Sequence, residues 1–392
     1  MTLFNKTISI IGGTGHVGLP LGLALAEKKF KVQLIDVNKE NIKKVNNGVM
    51  PFLEDGAEKI LKKNIRNCNL LASSNKKLIM KGKYLIVCIG TPVNKKLNPK
   101  TKNFLKFFKD LNKIVQKNHI IIIRSSVFPG ICNKIFNILN NKNISYCPER
   151  IVQGKSLKEL PNLPQIISGY THESISHSKK IFKQISKKII TTNILEAELI
   201  KLFSNAYRYI NFSITNQFYT ICEKLGVDYH ILRKIMIDGY KRNKDLAYPG
   251  FTAGPCLLKD TMQLSSFLKG NFQLGYEAMK INEGLPIFLI KQLEKKISLK
   301  NKKIGILGMA FKAETDDVRD SLSIKLKNYL EKRKIKYYCS DPYYKEKYVI
   351  SSKSLFEKSD IIVVATPHLE YKKLRLPKNK ILVDVWGIIT KK

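Results

Sequence analysis

Short apolar runs alternate with helical patterns through the first part of the chain. Thr7–Ile11, Lys31–Ile35, Tyr84–Ile89, Ile120–Arg124 and later Gln165–Ser168 are near-continuous stretches of β-branched and other apolar residues, as expected of strands covered on both faces. The alternation predicts a parallel α/β sheet. From about Glu196 the pattern changes. Glu196–Leu225 keeps a helical period up to Gly226, and a second helical stretch covers roughly Leu274–Lys296, with an interruption expected at Pro286. At Lys303 the alternation returns, with strands at Ile304–Leu307, Lys336–Ser340, Ile361–Ala365 and Ile381–Val385 and a helix around Ser323–Lys332.

The two α/β parts echo each other. IVCIGTP at 86–92 resembles IVVATP at 362–367, and Asp36 and Asp341 each close the strand that follows a first helix. The expected fold is α/β, with two Rossmann-like doubly wound domains joined by a long-helix central domain. The divisions fall at 1–193 for a dinucleotide-binding domain, 194–299 for the helical, dimerising part and 300–392 for the second Rossmann-like domain.

Composition narrows the function without deciding it. A length of 392 residues allows two or three domains with sizeable cores. No apolar run reaches the roughly 18 residues needed to span a bilayer, and the chain enters a strand almost at once, so no secretory signal is visible. The seven cysteines (68, 88, 132, 147, 222, 256 and 339) are widely spaced, with no C-x-x-C pair. That argues against a disulfide framework or a zinc site and for a reducing, cytoplasmic setting without a metal. The net charge of +39 admits two readings, a nucleic-acid or membrane surface or a general compositional bias. The lysines gather in no tail or stripe and no aromatic-basic motif appears, which favours bias and no nucleic-acid or membrane partner. Such a surface would still attract anionic small molecules.

The segment ISIIGGTGHVG at 8–18 places Gly13-x-Gly15-x-x-Gly18, with His16 and Val17 inside the turn, between a strand and a helix. Tight turning, close approach to a pyrophosphate and helix–strand packing all call for glycine there. Asp36 follows Gly18 by 36 − 18 = 18 residues, near the spacing of a ribose-binding acid. A carboxylate there favours NAD over NADP, whose 2′-phosphate it would repel. Thr91 follows the third predicted strand, where the cofactor should pass.

AGPCLLKD at 253–260 puts Cys256 beside a turn and near a helix start, with Lys259 close by and Asp260 one turn on. A helix N-terminus and a cation both favour thiolate, yet this segment alone fits a structural cysteine better. In the long helix, Glu198, Lys201, Asn205 and Arg208 are spaced 3, 4 and 3 apart and share one face. The stripe is either a solvated surface or the lining of a cleft.

With these segments in order, the chain resembles the UDP-glucose/GDP-mannose dehydrogenase family, most closely its branch acting on UDP-N-acetylhexosamines. The motifs are GGTGHVGLPL (12–21), VCIGTP (87–92), RSSVFPG (124–130), YCPERIVQG (146–154), ELIKLFSNAYR (198–208), PGFTAGPCLLKD (249–260) and GMAFKAETDDVRDS (308–321). The resemblance implies oxidation of a nucleotide-sugar C6 alcohol to a carboxylate, with two NAD and an enzyme-bound thioester. Asp260 and the hydroxyl of Ser126, which also meets the cofactor, would help remove the alcohol proton. Cys256 would attack the aldehyde. Lys201 and Asn205 would stabilise the oxyanion, and Glu149 would activate the hydrolytic water. Glu149, Arg150, Ile151, Lys201, Asn205, Arg208, Gly254, Lys312 and Arg319 would contact the nucleotide sugar, with an ion pair to Asp316, Asp317 or Asp320 as the alternative for Arg319. A homodimer built on the long helix is expected.

The chain departs from the family pattern in places. Ser126 stands for Thr, Gln153 for a second acid in some members, Asn216-Gln217 for Asn-Glu, and AGPC for GG-x-C. The remaining histidines (119, 172, 177, 230 and 368) are expected at surfaces or turns. Two other functions stay open: a single-hydride hydroxyacid dehydrogenase that needs no Cys256, and a basic Rossmann-like protein that binds nucleic acid.

Overall fold

The computed structural model describes residues 6–94, 97–252, 254–377 and 379–389. It divides into two compact units, with the boundary between Ser204 and Asn205.

The first unit carries a sheet ordered β3-β2-β1-β4-β5-β6-β7-β8 among the described residues. Its strands are β1 (Thr7–Ile11), β2 (Lys31–Ile35), β3 (Leu70–Ser73), β4 (Tyr84–Val87), β5 (Ile120–Ile123), β6 (Ile144–Tyr146), β7 (Gln165–Gly169) and β8 (Ile189–Thr191). All neighbours pair in parallel except β6 and β7. The run IIII of β5 is wholly buried, as a strand with helices on both faces requires. Helix α1 (Gly18–Glu27) follows β1 and buries Leu19, Leu21, Leu23 and Leu25. Helix α2 (Ile131–Ile138) follows β5. The strand order reverses between β1 and β4, so a crevice opens at their carboxyl ends, the place where open α/β sheets bind ligands.

Helix α3 (Ile194–Leu225) crosses the boundary between the units. In the second unit come α4 (Tyr229–Ile237), α5 (Leu257–Phe267) and α6 (Gln273–Lys296). The expected break at Pro286 is absent: α6 runs straight through it. Proline removes one backbone donor, but Asn282, Leu285, Leu289 and Ile290 around it are all buried, and their packing offsets that loss. Asn282 also donates to the carbonyl of Tyr209 and accepts from Asn216, which in turn clamps the backbone of Gly250 from both sides.

A second, four-stranded parallel sheet has the order β10-β9-β11-β12 among the described residues. It consists of β9 (Ile304–Leu307), β10 (Tyr337–Ser340), β11 (Ile361–Val364) and β12 (Ile381–Val383), with helix α7 (Leu322–Lys332) before β10. Its core joins that of the helical region: Ile304, Ile306, Leu326 and Val363 cluster with Tyr219, Leu285 and Leu289. The chain's one tryptophan, Trp386, donates its indole N–H to the carbonyl of Ala365 at 3.0 Å. Gly250 has φ +153°, and a Cβ there would strike the Trp386 ring.

Two histidines differ from expectation. His119 and His368 are fully buried. His119 accepts from the backbone N–H of Gln116 at 2.8 Å and lies 3.2 Å from the carbonyl of Ile79. His368 accepts from the N–H of Glu314 and pairs with Asp341 at 3.2 Å. A buried imidazole is tolerated because both ring nitrogens find partners.

Candidate active site

The crevice of the first sheet is built by the turn after β1. Gly12, which the glycine motif does not include, carries the left-handed conformation (φ +73°), and a Cβ there would come within 2.8 Å of the Cys88 carbonyl oxygen. At Gly13 a Cβ would sit 2.7 Å from Leu34 Cα, and at Gly18 it would collide with the Gly12 carbonyl. These positions need glycine for packing. Gly15 differs: a Cβ there would meet only the Gly12 oxygen, at 3.4 Å. Packing does not demand glycine there, whereas close approach of a pyrophosphate to the backbone would. The buried Thr14 hydroxyl has no hydrogen-bond partner among the described residues, as a group awaiting a ligand would not. His16 packs its ring on Phe52, centroids 4.0 Å apart, while Val17 precedes α1.

Asp36 follows β2 and organises the same crevice. One carboxylate oxygen accepts from Thr14 N–H at 3.0 Å, the other from Val37 and Asn38 N–H. Thr91, beyond β4, donates its hydroxyl to the carbonyl of Ser126 at 2.5 Å. The set suits NAD: glycine backbone for the pyrophosphate and a carboxylate for the ribose.

At the end of β6 the chain enters YCPERIVQG. Glu149 is buried, and both its oxygens are engaged. One faces the guanidinium of Arg124, while the other accepts from the N–H groups of Arg150 and Ile151 at 2.8 and 3.1 Å. Arg124 was not legible as its partner from the sequence. The Arg150 side chain donates to the Pro164 carbonyl at 2.6 Å, and Ile151 is half-buried. Glu54 holds the following loop by accepting from Gly154 N–H and from Ser156 through both its N–H and hydroxyl.

On α3, Lys201 and Asn205 are buried and Arg208 is exposed. Glu198 does not join them in a functional stripe. Its carboxylate accepts from the N–H groups of Gly130 and Cys132 at 2.6 and 2.9 Å, capping the start of α2, where an anion is favoured.

Within the second unit, Cys256 is the N-cap of α5, with its side chain exposed. Asp260 N–H donates to the Cys256 carbonyl at 2.9 Å. The Asp260 carboxylate is fully buried, accepts from the Asn205 amide at 2.6 Å and pairs with Lys259 at 2.5 Å. Sequence spacing put Asn205 and Asp260 on separate helices, and the fold joins them. Gly254 has φ +109°, and a Cβ there would lie 2.5 Å from the Phe311 ring. Burial pushes the thiols of Cys88, Cys147 and Cys339 up to about 12. Cys68 is also exposed, in the turn before β3.

The second sheet repeats the crevice. Asp341 accepts from Met309 and Ala310 N–H with one oxygen and from Tyr343 and Tyr344 N–H with the other, as Asp36 does in the first. Gly308 (φ +90°) leaves no room for a Cβ against Thr366. The loop beyond carries Lys312 and Arg319. Lys312 is half-buried, and its carbonyl accepts from Thr315. Arg319 forks onto Asp317, with Nε 2.9 Å from one oxygen and Nη2 2.6 Å from the other. The ion-pair alternative is therefore what the structure contains; a phosphate would have to share or displace Asp317. The Asp317 hydrogen bonds hold the guanidinium charged, and the Cys256 sulfur adds a smaller contribution in the same direction.

Comparison with known sequences decides the family. The chain matches the UDP-glucose/GDP-mannose dehydrogenase family over residues 6–186 (NAD binding domain), 195–284 (central domain) and 305–391 (UDP binding domain). It belongs to that family. It is thus an NAD-dependent oxidoreductase acting on a nucleotide sugar, and the hydroxyacid and nucleic-acid readings are not favoured. The UDP-N-acetyl-D-mannosamine dehydrogenase of Pyrococcus horikoshii is 28% identical over 96% of this chain and 94% of its own. That of Methanococcus vannielii is 29% identical over 98% and 93%, and the UDP-glucose 6-dehydrogenase of Rickettsia bellii is 26% identical over 96% and 94%. The solved Pyrococcus horikoshii UDP-D-ManNAc dehydrogenase superposes with a TM-score of 0.89 at 26% identity, covering 98% of this chain and 96% of that one. Among the described residues no helix is long and apolar enough to cross a membrane, and no cluster of metal-ligating side chains occurs.

Proposed function

We propose that this enzyme oxidises the C6 hydroxyl of UDP-N-acetyl-D-mannosamine to the carboxylate, using two NAD per sugar. The reading of the sugar rests on the relatives: the more similar ones carry that name over nearly the whole length of both chains. The reading of the chemistry rests on one observation, an exposed Cys256 at a helix start one turn from a buried Asp260 held by Asn205. Oxidation by four electrons needs a nucleophile that keeps the intermediate aldehyde bound, and a thiol does so where an acid–base residue does not.

When bound, NAD would supply the hydride acceptor for the two oxidations at C6. Gly13, Gly15, His16, Val17, Gly18, Asp36, Thr91 and Ser126 would hold it. Asp260, through water and with the Ser126 hydroxyl, takes the alcohol proton. Cys256 adds to the aldehyde to give a thiohemiacetal, and Lys201 and Asn205 stabilise the oxyanion. After the second oxidation Glu149 serves the water that hydrolyses the thioester. Arg150, Ile151, Arg208, Gly254, Lys312 and Arg319 bind the nucleotide sugar. The working divisions are 1–193, 194–299 and 300–392.

The functional unit is a homodimer. Phe203, Tyr207, Ile214, Phe218, Ile221 and Leu225 expose an apolar stripe along α3, at spacings that keep them on one face. Seven free cysteines suit a reducing cytoplasm. A panel of nucleotide sugars assayed for NADH release tests the substrate. Two NADH per UDP-N-acetyl-D-mannosamine is the expected result; faster turnover of UDP-glucose, or one NADH per sugar, would refute the reading.

A further inference from the structure

We propose that Arg124 is a positioning residue for the hydrolytic half of the reaction and acts through Glu149. The inference rests on the assignment of Glu149 to thioester hydrolysis made above.

Arg124 follows β5 and is 1% exposed. Its guanidinium grips Glu149 Oε2 through Nε at 2.9 Å and through Nη2. Nη1 donates to the Cys147 carbonyl at 3.1 Å and Nη2 also to Gln165 Oε1 at 2.9 Å, while the Phe182 ring lies 4.7 Å from the guanidinium carbon. Three strand ends thus converge on one cation. A simple staple between strands would account for the contacts to Cys147 and Gln165. It does not account for a carboxylate with every acceptor site occupied.

A carboxylate offers about four lone-pair sites. Glu149 fills two on Oε2 with Arg124 and two on Oε1 with the N–H groups of Arg150 and Ile151. A water can reach this carboxylate only by displacing a donor. The fork onto Oε2 is charge-assisted and two-pronged, so it is the hardest to displace. The Ile151 N–H, at 3.1 Å, is the easiest. Arg124 therefore holds the carboxylate by one oxygen and leaves Oε1 as the oxygen that exchanges a backbone donor for water. In the hydrolytic step that water adds to the thioester carbon and its proton passes to Glu149. The carbon–sulfur bond breaks, and Cys256 leaves as thiolate. Without the fork, Oε2 loses its anchor and only the two backbone N–H groups on Oε1 hold the carboxylate, so exchange of one of them for water no longer leaves it fixed and this step slows, while the two oxidations do not depend on it.

Arg124→Lys keeps the charge but not the two-pronged grip. Steady-state turnover should fall at least tenfold, with a preserved burst of two NADH per site. A sugar-acyl adduct on Cys256 should accumulate in intact mass spectra, and added hydroxylamine, a nucleophile that needs no base, should restore turnover. Arg124→Met should show the same pattern more strongly. If that variant does not fold, Arg124→Gln, which keeps amide donors for the Cys147 carbonyl and Glu149 but not the charged fork, takes its place and should trap the adduct in the same way. Loss of the burst in proportion to turnover, or unchanged turnover with only a lower melting temperature, would overturn the inference and leave Arg124 a staple. A wild-type enzyme that yields one NADH per sugar would instead bring down the functional reading beneath it.

Discussion

Asn205 and Asp260 are joined by a 2.6 Å hydrogen bond between two buried side chains, one on α3 and one on α5. Asn205 thereby fixes the acid one helical turn from Cys256, and in the proposed mechanism it would also offer the oxyanion an amide from a settled position. Asn205→Ala should cost about 1–3 kcal/mol of stability, because a buried carboxylate loses a donor. It should lower kcat about 10²–10³-fold, the range for removal of one oxyanion donor. Urea unfolding and NADH release measure the two effects; full activity with reduced stability would restrict the residue to a structural role.

Cys256→Ser should abolish net acid formation, since no thioester can form. Product analysis by mass spectrometry is the check, and uronate at the wild-type rate would exclude a thioester route.

Asp36→Ala should raise KM for NAD about tenfold or more, equivalent to roughly 1.4 kcal/mol or above, with KM for the sugar unchanged. Asp36 also ties the loop after β1 to the residues after β2, so some loss of stability should accompany it. Equal rises in both KM values would argue for general disruption instead of lost ribose binding.

Phe203→Glu together with Ile214→Glu places two charges on the exposed stripe of α3 and should turn a dimer into monomers. Sedimentation velocity reads this directly, and a wild-type chain that sediments as a monomer would contradict the dimer.

Asp341 carries a prediction for acid stability. Burial opposes its ionisation, but the hydrogen bond and charge of His368 and the N–H groups of Tyr344 and Met309 outweigh that and hold the carboxyl below its ordinary value of 3.8. A carboxyl depressed by folding contributes stability that is present above the unfolded value and lost as pH falls through the lower folded one. Asp341→Asn should therefore be less stable than wild type at neutral pH, with the gap narrowing below about 3.8. Unfolding by urea at both pH values measures it, and a gap independent of pH would contradict the assignment.

Much of this was legible in the sequence because the relevant patterns are local. Strands buried on both faces read as apolar runs, so β1, β2, β4, β5 and β9 stand out. Strands β6 and β8 do not: each has three residues, too few for a period, and β8 is largely exposed. The glycine turn and Asp36 were readable from spacing, whereas Gly12 was not, since its positive φ and its close approach to the Cys88 carbonyl show only in the folded backbone. Arg124 and Glu149 lie 25 residues apart and meet only through the register of β5 and β6. His368 meets Asp341 in the same non-local way. Motif spacing could place Arg319 near a phosphate site, but only coordinates could show that Asp317 already occupies its fork.

The packing of Trp386 on Gly250 gives the molecule a built-in spectroscopic label. The single indole, hydrogen-bonded to the Ala365 carbonyl, belongs to the second unit, so its emission reports the integrity of residues 205–392. Far-ultraviolet dichroism, by contrast, follows the backbone of both units. Two melting curves recorded on one unmodified sample would therefore report whether the halves of this enzyme come apart together or in turn.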